Sequence, residues 1–573
     1  MKLKFYIALV LLLTGLFSCE KIFEPIDENR LTIDYVAETP EVAEGLLLQA
    51  YTGLIDQYTF SEVGTDDAVS NQLNNGYRRM ANGELSAQYN PASRWNKYEK
   101  VFYINKFLEV IEKGHMQWNR DDTVNALFYD RLRGEAFALR GLYHFYVLQA
   151  HAGYSSAGEL LGIPYFTKFI PPDGNFNIPR LSFKASVEAI NNDFEEALKL
   201  LPMDYSNAQA DVPPQYADID LGKYIIVMGA QNTQRISGRI VKALQARLFL
   251  FAASPSFLNG SGYYEKAATK AAEVLNTIGG ISGLAKHGHI FYKKDSYLTS
   301  EELLWRSPIS DNTSWLEKAN FPPSKNGKGN INPTQNLVDA FPMRNGYPAT
   351  IANGYDPQNP YENRDKRLGE YIVYNGSRIG IMSKIYTGVG GGVDRLDSIP
   401  GLSTRTGYYL KKLLHPNVRI SDDGTATGKK HIRVYFRYTE LFLILAEASN
   451  EIGGPDHSVG GMSARDILGA IRERAGITQP DAYLASINSK EDMRELIRNE
   501  RRIELSFEGH RFFDLRRWGL PLNETVNGYF YNGTKYVDVP GVESRNYPAY
   551  ATYLPIPYDE IVKFSELIQN NGW

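Results

Sequence analysis

Three stretches of this chain repeat one texture, in which small residues mix with large apolar ones at helical spacing. Each is followed, after a loop, by a second amphipathic segment. ALRGLYHFYVLQA (138–150) precedes ASVEAINNDFEEALKLLP (185–202), and ISGRIVKALQARLFLFAASP (236–255) precedes YYEKAATKAAEVLNTIG (263–279). YTELFLILAEASNEIGG (438–454) precedes SARDILGAIRERAG (463–476). Apolar positions three and four residues apart build one buried face of a helix, and Ala or Gly at a contact lets neighbouring helices approach closely. Such pairs stack, each burying its neighbour's apolar face. No strict period of about 34 residues survives. The prediction is a mainly α fold, a tetratricopeptide-like helical-hairpin scaffold with degenerate copies separated by insertions.

The remaining segments fit around that scaffold. Helical spacing begins at Pro40 with VAEGLLLQAYTGLIDQ, and a polar loop follows with Asp66, Asp67, Asn71, Asn74 and Asn75. A second helix is predicted over about 92–113, with Trp95, Tyr98, Phe102, Ile104, Leu108 and Ile111 in a stripe. Between about 280 and 430 the texture changes to Gly, Pro, Asn and Asp, with short β-like pieces such as Tyr371–Tyr374. Irregular stretches that long are usually functional in a compact protein. We therefore expect one body over 39–573, with the scaffold mainly in 39–279 and 431–573 and a large loop-rich ligand-binding insertion at about 280–430.

The first segment, MKLKFYIALVLLLTGLFSC, has a basic start, a short apolar run and a small residue before Cys19. It is too short to span a bilayer and has the three-part form of a secretory signal. Cys19 is the sole cysteine of the chain, placed as in a bacterial lipobox. On this reading residues 1–18 are removed, Cys19 is lipidated, and 19–38, with Pro25 and no periodicity, is a tether. The alternative is a plain signal peptide with an incidental cysteine. A lone thiol leaves the mature fold without disulfides or a zinc–thiolate site. The formal charge is −4, and no basic stripe interleaved with aromatics occurs, which argues against a nucleic-acid partner. Tyrosine is abundant, at 38 residues, and its flat apolar face and hydroxyl suit polar, ring-shaped ligands.

The most specific strings lie near the end. EDMRELIRNERRIELSFEGHRFFDLRRW (491–518) reads as a helix with Arg498, Arg501 and Arg502 set among Glu495, Glu500, Glu504 and Glu508, and with Gly509 at its C-terminus. Arg511, Arg516 and Arg517 are placed beyond the helix end. Alternating charges predict a structural ion network in preference to an acid–base pair. YLPIPYDEIVKFSELIQNNGW (553–573) begins extended because of Pro555 and Pro557.

FEGHRFFDLRRW and YLPIP with the final QNNGW, together with FRYTELFLILAEASNE, IRERAG, RGEAFALRGLYHF and PTQNLVDAF, resemble the SusD/RagB family. The matching strings run in the family's order along nearly the whole chain. The resemblance implies a tetratricopeptide-like scaffold with a loop-rich binding face, in surface lipoproteins of Bacteroidetes that bind glycans and sometimes peptides. It also implies a partner, a TonB-dependent outer-membrane transporter of the SusC type, on which the body sits as a lid. Carried onto this chain, its ligand contacts fall at Asp66, Asp67 and Arg79, at Trp95 and Asn96, and at Trp315 with Phe321. Trp315 lies in SDNTSWLEKANFPPS, which lacks helical periodicity, and is expected to be exposed; Trp95 heads a W-x-x-Y-x-x-V helix, where core packing is the competing role.

Catalytic and cofactor patterns are missing: there is no HExxH, GxSxG or phosphate loop, and the run Gly388–Gly392 falls short of a dinucleotide fingerprint. His287 and His289 lack a third ligand nearby, and Asp422–Gly424 lacks an EF-hand register. No cofactor or metal is expected. The rival function is a helical surface glycoside hydrolase, whose paired carboxylates can come from distant loops; a pure interaction scaffold is the third.

Overall fold

The computed structural model describes residues 36, 38–113, 116–260 and 262–573. The signal segment, Cys19 and nearly all of the tether lie outside the described residues. The scaffold helices are α1 (Pro40–Tyr51), α2 (Tyr98–Glu112), α3 (Asp122–His151), α4 (Phe183–Leu200), α5 (Gly238–Ala253) and α6 (Tyr263–Asn276). After the insertion, which contains the short α7 (Trp315–Asn320), come α8 (Tyr438–Gly453), α9 (Ala464–Arg474), α10 (Lys490–Glu504) and α11 (Arg511–Trp518).

Each scaffold helix packs on its predecessor from α1 to α6, and α6 then packs on α8, which carries α9 and α10. The three predicted hairpins are present as α3–α4, α5–α6 and α8–α9, and the α1–α2 pair precedes them. Side-chain caps fix several starts: Ser182 accepts from the Ala185 N–H at 3.1 Å, and Ser463 and Asp466 form a reciprocal capping box. Close approach explains the glycines of α3. A Cβ at Gly134 would lie 2.7 Å from Leu201 Cγ, and one at Gly141 would lie 2.9 Å from the Phe194 ring.

Strands among the described residues pair two by two. Among them are β1 (Ala68–Ser70), β2 (Leu303–Arg306), β3 (Ile331–Pro333), β4 (Ile372–Val373), β5 (Tyr409–Leu410), β6 (Val434–Arg437), β7 (Val526–Tyr531) and β8 (Tyr536–Glu543). β1 pairs antiparallel with β3, so that Ser70 faces Ile331; β2 pairs with β6, β4 with β5, and β7 with β8, all antiparallel. The insertion is irregular but not coreless. Phe291, Phe321, Leu337, Phe341, Tyr371 and Tyr409 are buried in a second core, to which Val63 and Ala68 contribute from the first polar loop and Phe507 from the far end of the chain.

The 491–518 segment differs from its reading as one helix. α10 ends at Glu504, Phe507 (φ 62°) and Gly509 (φ 78°) turn the chain in the left-handed region, and α11 starts at Arg511. Arg511, Arg516 and Arg517 therefore sit on a helix of their own instead of trailing a helix end. A buried ion network is present, but the buried glutamates of α10 pair with cations from elsewhere in the chain, and Arg501 and Arg502 pair with Asp514 and with Asp66 and Asp67, not with the glutamates alternating along the helix. Glu504 accepts from Arg367, Arg437 and Arg474 at 2.9, 3.2 and 2.8 Å, and Glu508 accepts from Arg437 and Lys412. The last residues close over the C-terminal end of α3: the His151 ring meets Pro555 O at 2.7 Å, Arg516 Nε donates to Thr552 O, and Arg180 Nη1 donates to Ile568 O at 2.9 Å.

Candidate functional site

The first polar loop splits into an inward half and an outward half. Asp66 and Asp67 are buried, 6% and 0% exposed, and fasten the loop to α10 and α11. Arg502 donates to Asp67 and Asp66 at 2.7 Å, and Arg511 donates to Asp66 at 3.1 and 3.0 Å. Burial pushes the Asp66 carboxyl up, but the two guanidinium groups outweigh it and hold it down at about 2. These aspartates bind the protein to itself, which corrects their assignment as ligand contacts. Their partners lie more than 400 positions along the chain, beyond the reach of any local pattern.

Phe321 is corrected likewise. It is fully buried in the second core, because α7 turns its C-terminal end inward. Trp315, at the other end of α7, remains 47% exposed and meets Tyr58 edge-on, with centroids 5.3 Å apart. It opens a short helix where an irregular stretch was expected. Trp95 stands in a 3-10 turn before α2, half-buried, edge-on to Tyr98 at 5.1 Å and His151 at 5.5 Å, while Asn96 beside it is exposed. Trp95 also walls an apolar cleft with Phe102, Phe166, Phe169 and Phe564. Arg79 is half-buried, paired with Glu84 and set over the Tyr89 ring at 4.4 Å.

The outward half of the loop forms one wall of a groove of about 560 Å³, within the range of ligand sites. Asn71, Gln72, Leu73 and Asn74 face the 397–405 segment of the insertion across it. The loop is held in place by its amides: Asn71 Nδ2 donates to Lys328 O and Gly329 O at 2.9 and 2.8 Å, and Gln72 Nε2 donates to Gly401 O at 2.6 Å. Asn75 accepts from the Arg78 N–H and so starts the turn that delivers Arg78 to the groove. Arg78 and Arg405 both line it and converge on Glu543, at 2.9 and 2.5 Å, with Arg545 on the other carboxylate oxygen at 2.6 Å. Leu73 projects at 79% exposure.

Arg545 is buried and spends its other donors on Thr65 O and Ala68 O, and Arg405 also donates to Ser70 O and Val542 O, so the guanidinium donors left at the groove for sugar hydroxyls and other acceptor oxygens are chiefly those of Arg78. Asp397 is the carboxylate among the residues that line the groove. Among the described residues no cluster of three or more His, Cys, Asp or Glu is arranged to hold a metal ion. Sequence reasoning missed Arg78, Arg405 and the 397–403 wall, since nothing local joins segments some 330 positions apart.

Residues 297–573 match the sequence profile of the SusD family, and residues 33–217 match a SusD-like profile described as starch-binding, associating with the outer membrane. Two relatives come from Formosa agariphila. SusD-like protein P38 is 22% identical over 554 residues, covering 89% of this chain and 90% of its own length. SusD-like protein P25 is 27% identical over 210 residues, and that match spans 35% of this chain and 36% of P25, about a third of each. Among solved structures, a SusD-like protein from Bacteroides fragilis superposes with a TM-score of 0.73 at 24% identity, covering 96% of this chain and all (100%) of that one. A laminarin-binding SusD-like protein superposes with a TM-score of 0.59 at 19% identity, covering 94% and 100%. The helical-hairpin scaffold, the loop-rich face it carries and both profile matches identify this chain as a member of the SusD family.

Proposed function

We propose that this protein captures glycan at the outer membrane, without cleaving it, and presents it to a TonB-dependent transporter of the SusC type. The observation that carries the reading is the groove between the first polar loop and the insertion, lined by polar side chains with Arg78 and Arg405. It lies on the irregular face in a family whose members include a laminarin-binding protein. Exposed Trp315 with Tyr58 offers a second contact, an aromatic face for the apolar side of a sugar ring. Lipidation of Cys19 holds the body to the membrane, since each buried CH₂ contributes about 0.8 kcal/mol and two or more chains anchor stably. In this reading the lipid-held body sits as a lid on the transporter.

The test is incubation of the purified protein with a glycan panel. Binding with no new reducing ends supports the reading. Accumulating reducing ends, abolished by one Asp or Glu substitution, would replace it with the hydrolase. Binding confined to peptides would move the protein to the peptide-binding branch of the family. Gentle solubilisation of native outer membranes should co-purify the transporter; recovery of a solitary protein counts against the delivery step.

A further inference from the structure

A second cleft, of about 470 Å³, opens elsewhere in the insertion, between the loop after β4 and the chain after β5. Its lining carries Lys293, Arg378 and Lys411 against a single carboxylate, Glu370. Glu370 is already taken, since Lys293 pairs with it. Lys411 has no carboxylate partner among the described residues. Its Nζ donates to Gly369 O, which occupies one of three ammonium donors. Its neighbour Lys412 points the opposite way, into the core, where Glu508 neutralises it. Arg378, in the turn between Gly376 (φ 84°) and Gly380 (φ 55°), is exposed and donates to Met382 O. The cleft thus holds two cations without counter-charge.

Tyr374 forms part of the same wall and stacks on Tyr361 with centroids 4.1 Å apart, and Tyr361 meets Tyr536 edge-on at 5.6 Å. An aromatic face beside uncompensated ammonium and guanidinium groups suits a ring with an apolar side that carries an anionic oxygen. Burial holds the Lys411 ammonium down at about 8, so it is charged at neutral pH, and an anion in the cleft would relieve its desolvation.

We propose that this cleft receives an acidic substituent of the bound saccharide, a ring carboxylate or a sulfate ester, so that the protein selects acidic over neutral glycans. The proposal rests on the glycan-binding reading above and adds the class of glycan. Its test is titration calorimetry of the full chain with oligogalacturonate, a sulfated carrageenan oligosaccharide, and neutral laminari- and malto-oligosaccharides. Arg378→Ala and Lys411→Gln are compared with the parent protein, and thermal melts confirm that each is folded; exposed Arg378 keeps the test open if Lys411→Gln fails to fold. We expect the carboxylated or the sulfated ligand to bind at least about tenfold tighter than the neutral ones. Each substitution should then remove about tenfold of that affinity, as loss of a hydrogen bond to a charged group does, while neutral ligands are unaffected. Whichever of the two acidic ligands responds to the substitutions identifies the substituent. Neutral ligands binding as tightly as acidic ones, or acidic binding indifferent to both substitutions, overturns this proposal and leaves the glycan reading standing. If no saccharide binds, both fall.

Discussion

Replacing Glu504 by Gln tests whether the carboxylate-rich α10 is architecture or chemistry. The Glu504 carboxylate is buried and accepts from Arg367, Arg437 and Arg474, whose side chains are 0%, 2% and 5% exposed. Burial pushes its carboxyl up, but those arginines outweigh it and hold it far below the ordinary carboxylate range. Glutamine keeps the shape and one acceptor oxygen but removes the charge, leaving three guanidinium groups one anion short in a site without water access. Breaking a buried pair in this way costs about 3–5 kcal/mol. With an unfolding entropy of about 2.1 cal/mol/K per residue, a chain of this size loses roughly 1 °C of Tm per kcal/mol if it melts as one unit. The variant should therefore melt about 3–5 °C lower, and bind saccharide normally while folded. Acidification should mimic the substitution, because a depressed carboxyl stabilises the fold above its unfolded value and loses that effect as pH falls. An unchanged Tm together with lost ligand turnover or binding would refute the structural assignment and return Glu504 to the candidate acids.

Other outcomes follow from the same geometry. Burial lowers His144 and His151 to about 3, so the unfolded chain takes up protons at these sites before the folded one does. Stability should fall as pH drops below about 6.5, by about 1.4 kcal/mol per histidine per unit, and equal melting points at pH 7.5 and 5 would contradict this. Trp315→Ala should weaken glycan binding by about 1–3 kcal/mol with little change in Tm, whereas Trp95→Ala, which unpacks Tyr98 and His151, should lower Tm as well; equal melts for the two variants would refute the distinction. Leu73→Asn should leave melting unchanged, because Leu73 is exposed, and reduce affinity if the groove is the site. Cys19→Ala should release the protein from the membrane fraction, and undiminished retention would rule out the lipid anchor.

What local pattern can encode was legible. The hairpins announced themselves because small and large residues recur at helical spacing. α3 was visible only from Ala138 onward, although it begins at Asp122. Its earlier turns bury Arg131 and Glu135, which pair with each other and with Glu44 and Arg235, so charged residues interrupt the apolar stripe there. The same effect misled the site assignment in reverse. Asp66 and Asp67 look like exposed loop acids until Arg502 and Arg511 arrive from the far end of the chain. Phe321 looks like a loop aromatic because the second core is assembled from segments with no periodicity of their own.

The clasp between the C-terminal end of α3 and the final residues has a consequence for the order of assembly. Asn570 Nδ2 donates to His151 O at 3.0 Å and to Leu554 O at 2.7 Å, and Trp573 Nε1 donates to Tyr553 O at 2.7 Å. Without them the carbonyl end of the 30-residue α3 keeps Arg180 on His151 O and Arg516 on Gln149 O and Ala150 O, but the buried Asn570 amide no longer ties it to Leu554 O. During synthesis, which proceeds from the N-terminus, the first hairpins are made some 400 residues before the 553–573 segment that fastens onto them. Contacts of such long sequence separation are slow to close. A molecule truncated by even a few terminal residues has lost part of the fastening of its opposite half.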